Sequence, residues 1–225
     1  KLSESETIED VVDVENVIKY LVVHDFVQNS DSYTGSMVHN YYLYEENGVL
    51  SMVPWDYNLA FGGFAMGSGM MGDTTGATST VNAPIDTPVS GGTLESRPMV
   101  AWIFESEEYV GLYHQYYAEF MENYFDSGYF EKMMDETVAL ISPYIEKDPT
   151  AFFSYDEFLT GVKTLREFSL LRAESISGQI SGSIPSTQEG QRANSTALVD
   201  ASHISTSDMG SMVGMDMGSG VFSSW

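Results

Sequence analysis

The feature that most constrains this chain is a stretch in which Tyr41-Tyr42-Leu43-Tyr44 and Val49-Leu50-Ser51-Met52-Val53 flank Glu45-Glu46-Asn47-Gly48. Aromatic and β-branched residues suit a pleated strand, and Asn-Gly supplies the positive φ angles of a tight hairpin. Two antiparallel strands are therefore predicted, with Pro54 closing the second. A hairpin also returns the chain on itself. The polar segments before and after it, around Asp31 and Asp56, are thereby placed side by side.

Most of the remaining pattern is helical. Val17, Ile18, Leu21, Val22 and Phe26 recur at helical spacing behind Asp13, a good N-cap, which predicts a helix over 13–29. The neighbouring Val11, Val12 and Val14 leave its start open. Three more helices are expected after Pro98. The first contains Trp102, Ile103 and Phe104, and restarts near Ser106 to carry Tyr113, Tyr117, Phe120 and Phe125. The second runs from Tyr129 to Ile145, with Pro143 near its end. The third opens on Ser154-Tyr155-Asp156-Glu157, a capping box in which hydroxyl and carboxylate each satisfy a free backbone amide. Phe158, Val162, Leu165, Phe168 and Leu171 form its apolar stripe.

Two segments lack either periodicity. Phe61 to Thr93 is rich in Gly, Met, Ser and Thr and reads as a long loop, with Asn82-Ala83-Pro84-Ile85-Asp86-Thr87-Pro88 as an ordered island. Residues 181–225 carry few large apolar groups and read as a disordered tail or linker, leaving 1–180 as the folded unit. The Asn194-Ser195-Thr196 sequon in that tail is read as a chance occurrence.

Charge narrows the partners. The chain has 33 Asp and Glu against 9 Lys and Arg, a net charge of −24. Nucleic acid and anionic membranes both require clustered cations and are disfavoured on that ground. Divalent cations, a basic protein partner or simple solubility all remain compatible. No apolar run is long enough to cross a bilayer. Absence of Cys removes disulfides and thiolate metal sites. The four His residues show no i, i+4 pair and no zinc pattern. His39 is expected to pack beneath the hairpin, with contact to phosphate as the alternative, and His114 to be a half-buried helix residue. Met66, Met70 and Met71 could suit Cu(I), but without His or Cys companions they read as low-complexity sequence. Arg97 and Arg172 stand out among few cations, and a structural role is expected for both.

The chemistry-bearing pattern is an order of parts: Asp31, then Asn40, then the hairpin, then Asp56, then Phe61-Gly62-Gly63. Phosphoryl transfer needs a carboxylate near the attacking hydroxyl and oxygen ligands for Mg²⁺. Protein kinases meet this need with the same order of parts, but they separate the Asp and Asn by roughly four residues. Here Asp31 and Asn40 are nine positions apart. On residues alone, turn-forming and capping roles for Asp31, Asn40 and Asp56 explain the pattern at least as well.

Three segments together resemble the CotH family of spore-coat protein kinases. They are Asn29-Ser30-Asp31-Ser32, His39-Asn40-Tyr41-Tyr42-Leu43-Tyr44 and Val53-Pro54-Trp55-Asp56-Tyr57-Asn58-Leu59-Ala60-Phe61-Gly62. The resemblance runs from about Asp13 to Ile180. It implies an α+β fold, an atypical protein-kinase-like C-terminal lobe that is mostly helical with one β-hairpin. It also implies transfer of phosphate from ATP, with Mg²⁺, to Ser/Thr of exported proteins, at an extracellular, cell-surface or spore-coat location. By position Asp31 would be the catalytic Asp and Asp56 a metal ligand, with Asn40 a second. Asn58 stands where the family often has an acidic residue, so it would ligate without charge. No suitable cation precedes Asp31, so the nucleotide-covering lobe is expected upstream of Lys1, and this chain alone is expected not to bind ATP tightly. The alternative is a non-catalytic adhesion or coat module with the same fold.

Overall fold

A computed structural model describes residues 7–63 and 76–210. The α1 helix (Val14–Phe26) is capped by the Asp13 carboxylate, which accepts from the Asn16 amide at 3.1 Å. The hairpin follows as β1 (Tyr41–Glu46) and β2 (Val49–Pro54), antiparallel with Glu46 opposite Val49. Asn47 and Gly48 form the two-residue turn at φ 55° and 89°, the left-handed pair that this sequence favours. The β-branched residues before α1 add to the sheet. Val12 bridges Leu50 in parallel, and the Leu50 amide donates to the Val11 carbonyl at 2.9 Å. Asn16 Oδ1 also accepts from the Met52 amide at 2.8 Å, tying the first turn of α1 to β2.

Next come α2 (Gly76–Val81), α3 (Pro98–Ala101), a tighter turn over Trp102–Glu105, and α4 (Glu107–Met121). A wider π-type turn (Glu122–Asp126) leads to α5 (Tyr129–Ile145) and then α6 (Tyr155–Ser181). Ser106 is extended, so the helix does restart there. The capping box at Ser154 and Glu157 is formed in both directions. The helical segment α2 corrects the expectation of one long loop: Ala77 and Val81 are buried there against Phe168. Methionines 66, 70 and 71 lie outside the described residues.

The core gathers α1, α3, α4 and α6, with Val17, Ile18, Leu21, Tyr113, Tyr117 and Ile176 fully or almost fully enclosed. Among these apolar groups lies an ion pair: Arg172 meets Asp25 at 3.0 Å with both side chains enclosed. Tyr117 donates to the same carboxylate at 2.6 Å, and Arg172 also donates to the carbonyls of Val81 and Ala83. Burial pushes the Asp25 carboxyl above its ordinary range, while Arg172, Tyr117 and Gln28 pull it the other way. The island at 82–88 is held here as expected, with the Ile85 amide donating to Gln179 Oε1.

The boundary expected at 180 is displaced. Residues 182–210 fold back over α2 and α6, forming α7 (Gln188–Ala193) and burying Ile184 and Ala201. Polar side chains share in the holding. Asn82 donates to the Val199 carbonyl at 2.8 Å and accepts from the Val199 amide at 3.0 Å, as a strand neighbour would. Gln191 donates to the Asn82 carbonyl, and Thr78 Oγ1 accepts from the Ala201 amide. A test based on apolar content misses an arm anchored this way. Residues 211–225 lie outside the described residues.

Candidate functional site

Asp31 sits in the loop after α1, 6 % exposed, with both carboxylate oxygens engaged. His39 Nε2 lies 2.5 Å from Oδ1, and Asn40 Nδ2 donates to Oδ2 at 3.0 Å and to the Asp31 carbonyl at 2.9 Å. Asn40 reaches back in this way from a left-handed backbone, φ 56°, which Asn tolerates better than most residues. Two residues earlier Val38 takes φ 52°, an uncommon and strained choice for a β-branched side chain. Strain is thus stored in the turn that delivers His39 and Asn40 to Asp31. The expectation that His39 merely packs under the hairpin is corrected: its side chain is 41 % exposed and faces the Asp31 carboxylate.

The loop around Asp31 is clasped from the other side by Arg97. This buried guanidinium donates to the carbonyls of Tyr33 (2.6 Å), Gly35 (2.7 Å) and Gly91. Its role is structural, as expected, though its partners are backbone carbonyls and not a carboxylate. Tyr33 adds a second tie, its hydroxyl accepting from the Met99 amide at 3.0 Å. Gly35 is required by close approach: a Cβ there would lie 1.6 Å from the Ser30 carbonyl oxygen.

Asp56 follows β2 at the open end of the hairpin, where Tyr41 pairs with Pro54, and is exposed, at φ 54°. Its Oδ1 accepts from the Asn58 amide at 3.2 Å, closing a local turn, and the Asn58 side chain is exposed. The two flanks of the hairpin are joined through Asn29, whose Nδ2 donates to the Asp56 carbonyl at 3.2 Å. The Asn29 carbonyl in turn accepts from the Ser32 hydroxyl at 2.5 Å. The Phe61 and Gly62 amides donate to the carbonyls of Val27 and Gln28, so the Asp56 segment lies along the end of α1. Between Asp56 and Asn58, Tyr57 turns inward, its hydroxyl 2.9 Å from His24 Nδ1. Burial holds the His24 imidazole down to about 4 and pushes the Tyr57 hydroxyl up to about 12. His24 is therefore neutral and Tyr57 protonated at neutral pH.

The structure thus brings Asp31, His39 and Asn40 into direct contact, and ties Asp56 and Asn58 to them through Asn29. Sequence reasoning missed His39 and Asn29 as working parts, although both stand inside the motifs that were singled out. The remaining donors are hard oxygens: the Asp56 carboxylate and the Asn58 and Asn40 amide oxygens. Among the described residues no group of three or more His, Cys, Asp or Glu is disposed to hold a metal ion. Such a donor set fits Mg²⁺, which keeps several waters and takes one or two carboxylates plus phosphate oxygens, better than an ion needing an all-protein cage.

With this geometry described, comparison with known proteins becomes informative. The family model for CotH kinase protein matches residues 2–176, more than half of the chain. The chain belongs to the CotH kinase protein family. Comparisons with curated proteins and with solved structures found no match. The CotH match covers Asp31, Asn40, Asp56 and Asn58 and ends inside α6, before the arm at 182–210. Membership in the CotH family implies ATP as phosphate donor and protein as acceptor. No helix among the described residues is long and apolar enough to cross a membrane.

Proposed function

We propose that this CotH chain carries the base-bearing and metal-binding part of an atypical kinase lobe, one that transfers the ATP γ-phosphate to Ser/Thr of exported proteins at the cell surface or spore coat. The single observation that carries the reading is the seating of Asp31. A nearly buried carboxylate is fixed by His39 and Asn40 at the open end of the hairpin, where Tyr41 pairs with Pro54 and Asp56 follows the second strand. In this reading Asp31 orients the attacking hydroxyl and accepts its proton, with His39 and Asn40 holding its rotamer. Asp56, with Asn40 and Asn58, would hold Mg²⁺, which when bound neutralises charge on the phosphates. Asn58 contributes no charge, so Asp56 carries the electrostatic part alone. Neither Arg97, spent on backbone carbonyls, nor Lys19, paired with Glu15, is assigned to the phosphates.

The test is radiolabelled phosphate transfer from ATP by the natural full-length protein, beside Asp31→Asn and Asp56→Asn. Both variants are expected to lose at least about a hundredfold in rate. Equal incorporation by all three proteins would refute the assignment. A non-catalytic adhesion or coat module is the second reading, favoured by the exposed aromatic face of the hairpin at Tyr42, Tyr44 and Trp55.

A further inference from the structure

An apolar cleft of about 670 Å³ lies between the end of α5, the start of α6 and the turn at Thr206–Met209. None of Asp31, Asn40, Asp56 or Asn58 lines it. Its floor includes Ile145, Phe158, Val162, Leu165 and Met209. The first half of the α6 stripe expected to enter the core lies here instead, with Phe158, Val162 and Leu165 only partly covered. At the mouth stand Phe152, 91 % exposed, and Phe153, 54 % exposed. Two large aromatic side chains left in water beside an apolar trough mark an interaction surface.

One wall is made by the arm that lies beyond the family match. Gly161 allows this, since a Cβ there would lie 2.9 Å from the Asp208 carbonyl oxygen. The arm brings Asp208 to the cleft, where it joins Asp148 and Glu157. Hydrogen bonds from Thr150 hold the Asp148 carboxyl below its ordinary range, and those from Ser154 do the same for Glu157, so both are ionised at neutral pH. Among the described residues no Lys or Arg lines the cleft, although Lys147 and Lys163 are close in sequence. An apolar trough with three carboxylates and no lining cation complements one kind of occupant.

We propose that this cleft docks a protein segment that combines bulky apolar anchors with Lys or Arg. The apolar side chains enter between Phe152, Phe158 and Met209, and the cations meet Asp148, Glu157 and Asp208. This is a binding function, and it stands whether or not the chain transfers phosphate.

The experiment is fluorescence anisotropy with a short labelled peptide of leucine and lysine, titrated with the full chain. Controls replace lysine by glutamate, or leucine by serine. The leucine–lysine peptide is expected to bind, and both controls to bind at least about tenfold more weakly. Phe152→Ser combined with Phe153→Ser is expected to weaken binding about tenfold, without loss of fold because both side chains are exposed. Asp148→Asn with Asp208→Asn should cost about fivefold at low salt and reduce the salt dependence. Unchanged affinity in the phenylalanine variant would assign binding to the general negative charge of the chain and overturn the proposal. Self-association of the chain that buries Phe152, or binding seen only after Phe222→Asp, would give the cleft to a second copy or to the chain's own C-terminus, and would equally overturn it.

Discussion

His24 links the interior to the site loop and offers a sharp test through pH. Its ring is 1 % exposed, stacks on Tyr20 at 4.0 Å and meets the Tyr57 hydroxyl through Nδ1, while Nε2 has no hydrogen-bond partner among the described residues. Burial lowers its proton affinity from 6.5 to about 4. As pH falls below 6.5 the unfolded chain takes up the proton first, so the unfolded state gains and stability drops. The contribution is present in full above pH 6.5, is lost between 6.5 and about 4, and changes no further below that. At about 1.4 kcal/mol per unit this loss is about 3 kcal/mol, a large share of the 5–15 kcal/mol typical of a domain. Urea unfolding across this range, for the protein and for His24→Gln, isolates the term from the many carboxylates that titrate in both. The stability difference between the two is expected to shrink by about 3 kcal/mol from neutral pH to pH 4. Parallel curves would refute the reasoning, as would an NMR titration of His24 with a midpoint near 6.5.

Three further outcomes are expected. Arg172→Met leaves the Asp25 carboxylate buried without its counterion and should cost about 3–5 kcal/mol in urea unfolding. Because burial already raises Asp25, that deficit should narrow as pH falls and the carboxyl is protonated. Gly35→Ala forces a Cβ onto the Ser30 carbonyl and should destabilise by about 1–3 kcal/mol, with a shifted Asp31 resonance in NMR spectra. Val38→Asn relieves a left-handed valine and should raise stability by about 1 kcal/mol, read as a higher urea midpoint.

Legibility in the sequence followed the range of the interactions. The Asn47-Gly48 turn, the Asp13 cap and the Ser154–Glu157 box are made by residues within four positions of one another, and each formed where the pattern placed it. Asp31 and Asn40 were legible as a pair through the order of motifs, and they do touch. His39 was not, because a histidine beside a strand signals packing as readily as polar contact. Arg97 was visible as a rare cation, yet no sequence rule says that a guanidinium will serve four backbone carbonyls. The arm at 182–210 was least legible. Its anchors, Thr78 and Asn82, lie far away in the chain and are polar, so neither hydrophobic periodicity nor composition registers them.

That arm also separates two boundaries that are easily equated. The match to the CotH family model ends at residue 176, but Asn82 completes its hydrogen bonds with Val199 and Gln191. A chain cut at the end of the match would keep every candidate site residue. It would nonetheless strip the amide of Asn82 and the apolar contacts of Phe168 of partners supplied by the arm, leaving polar groups that must find water or pull the α2 region open. The family match and the folded region therefore end at different residues in this protein, and bonds made beyond residue 176 satisfy groups that lie inside the match.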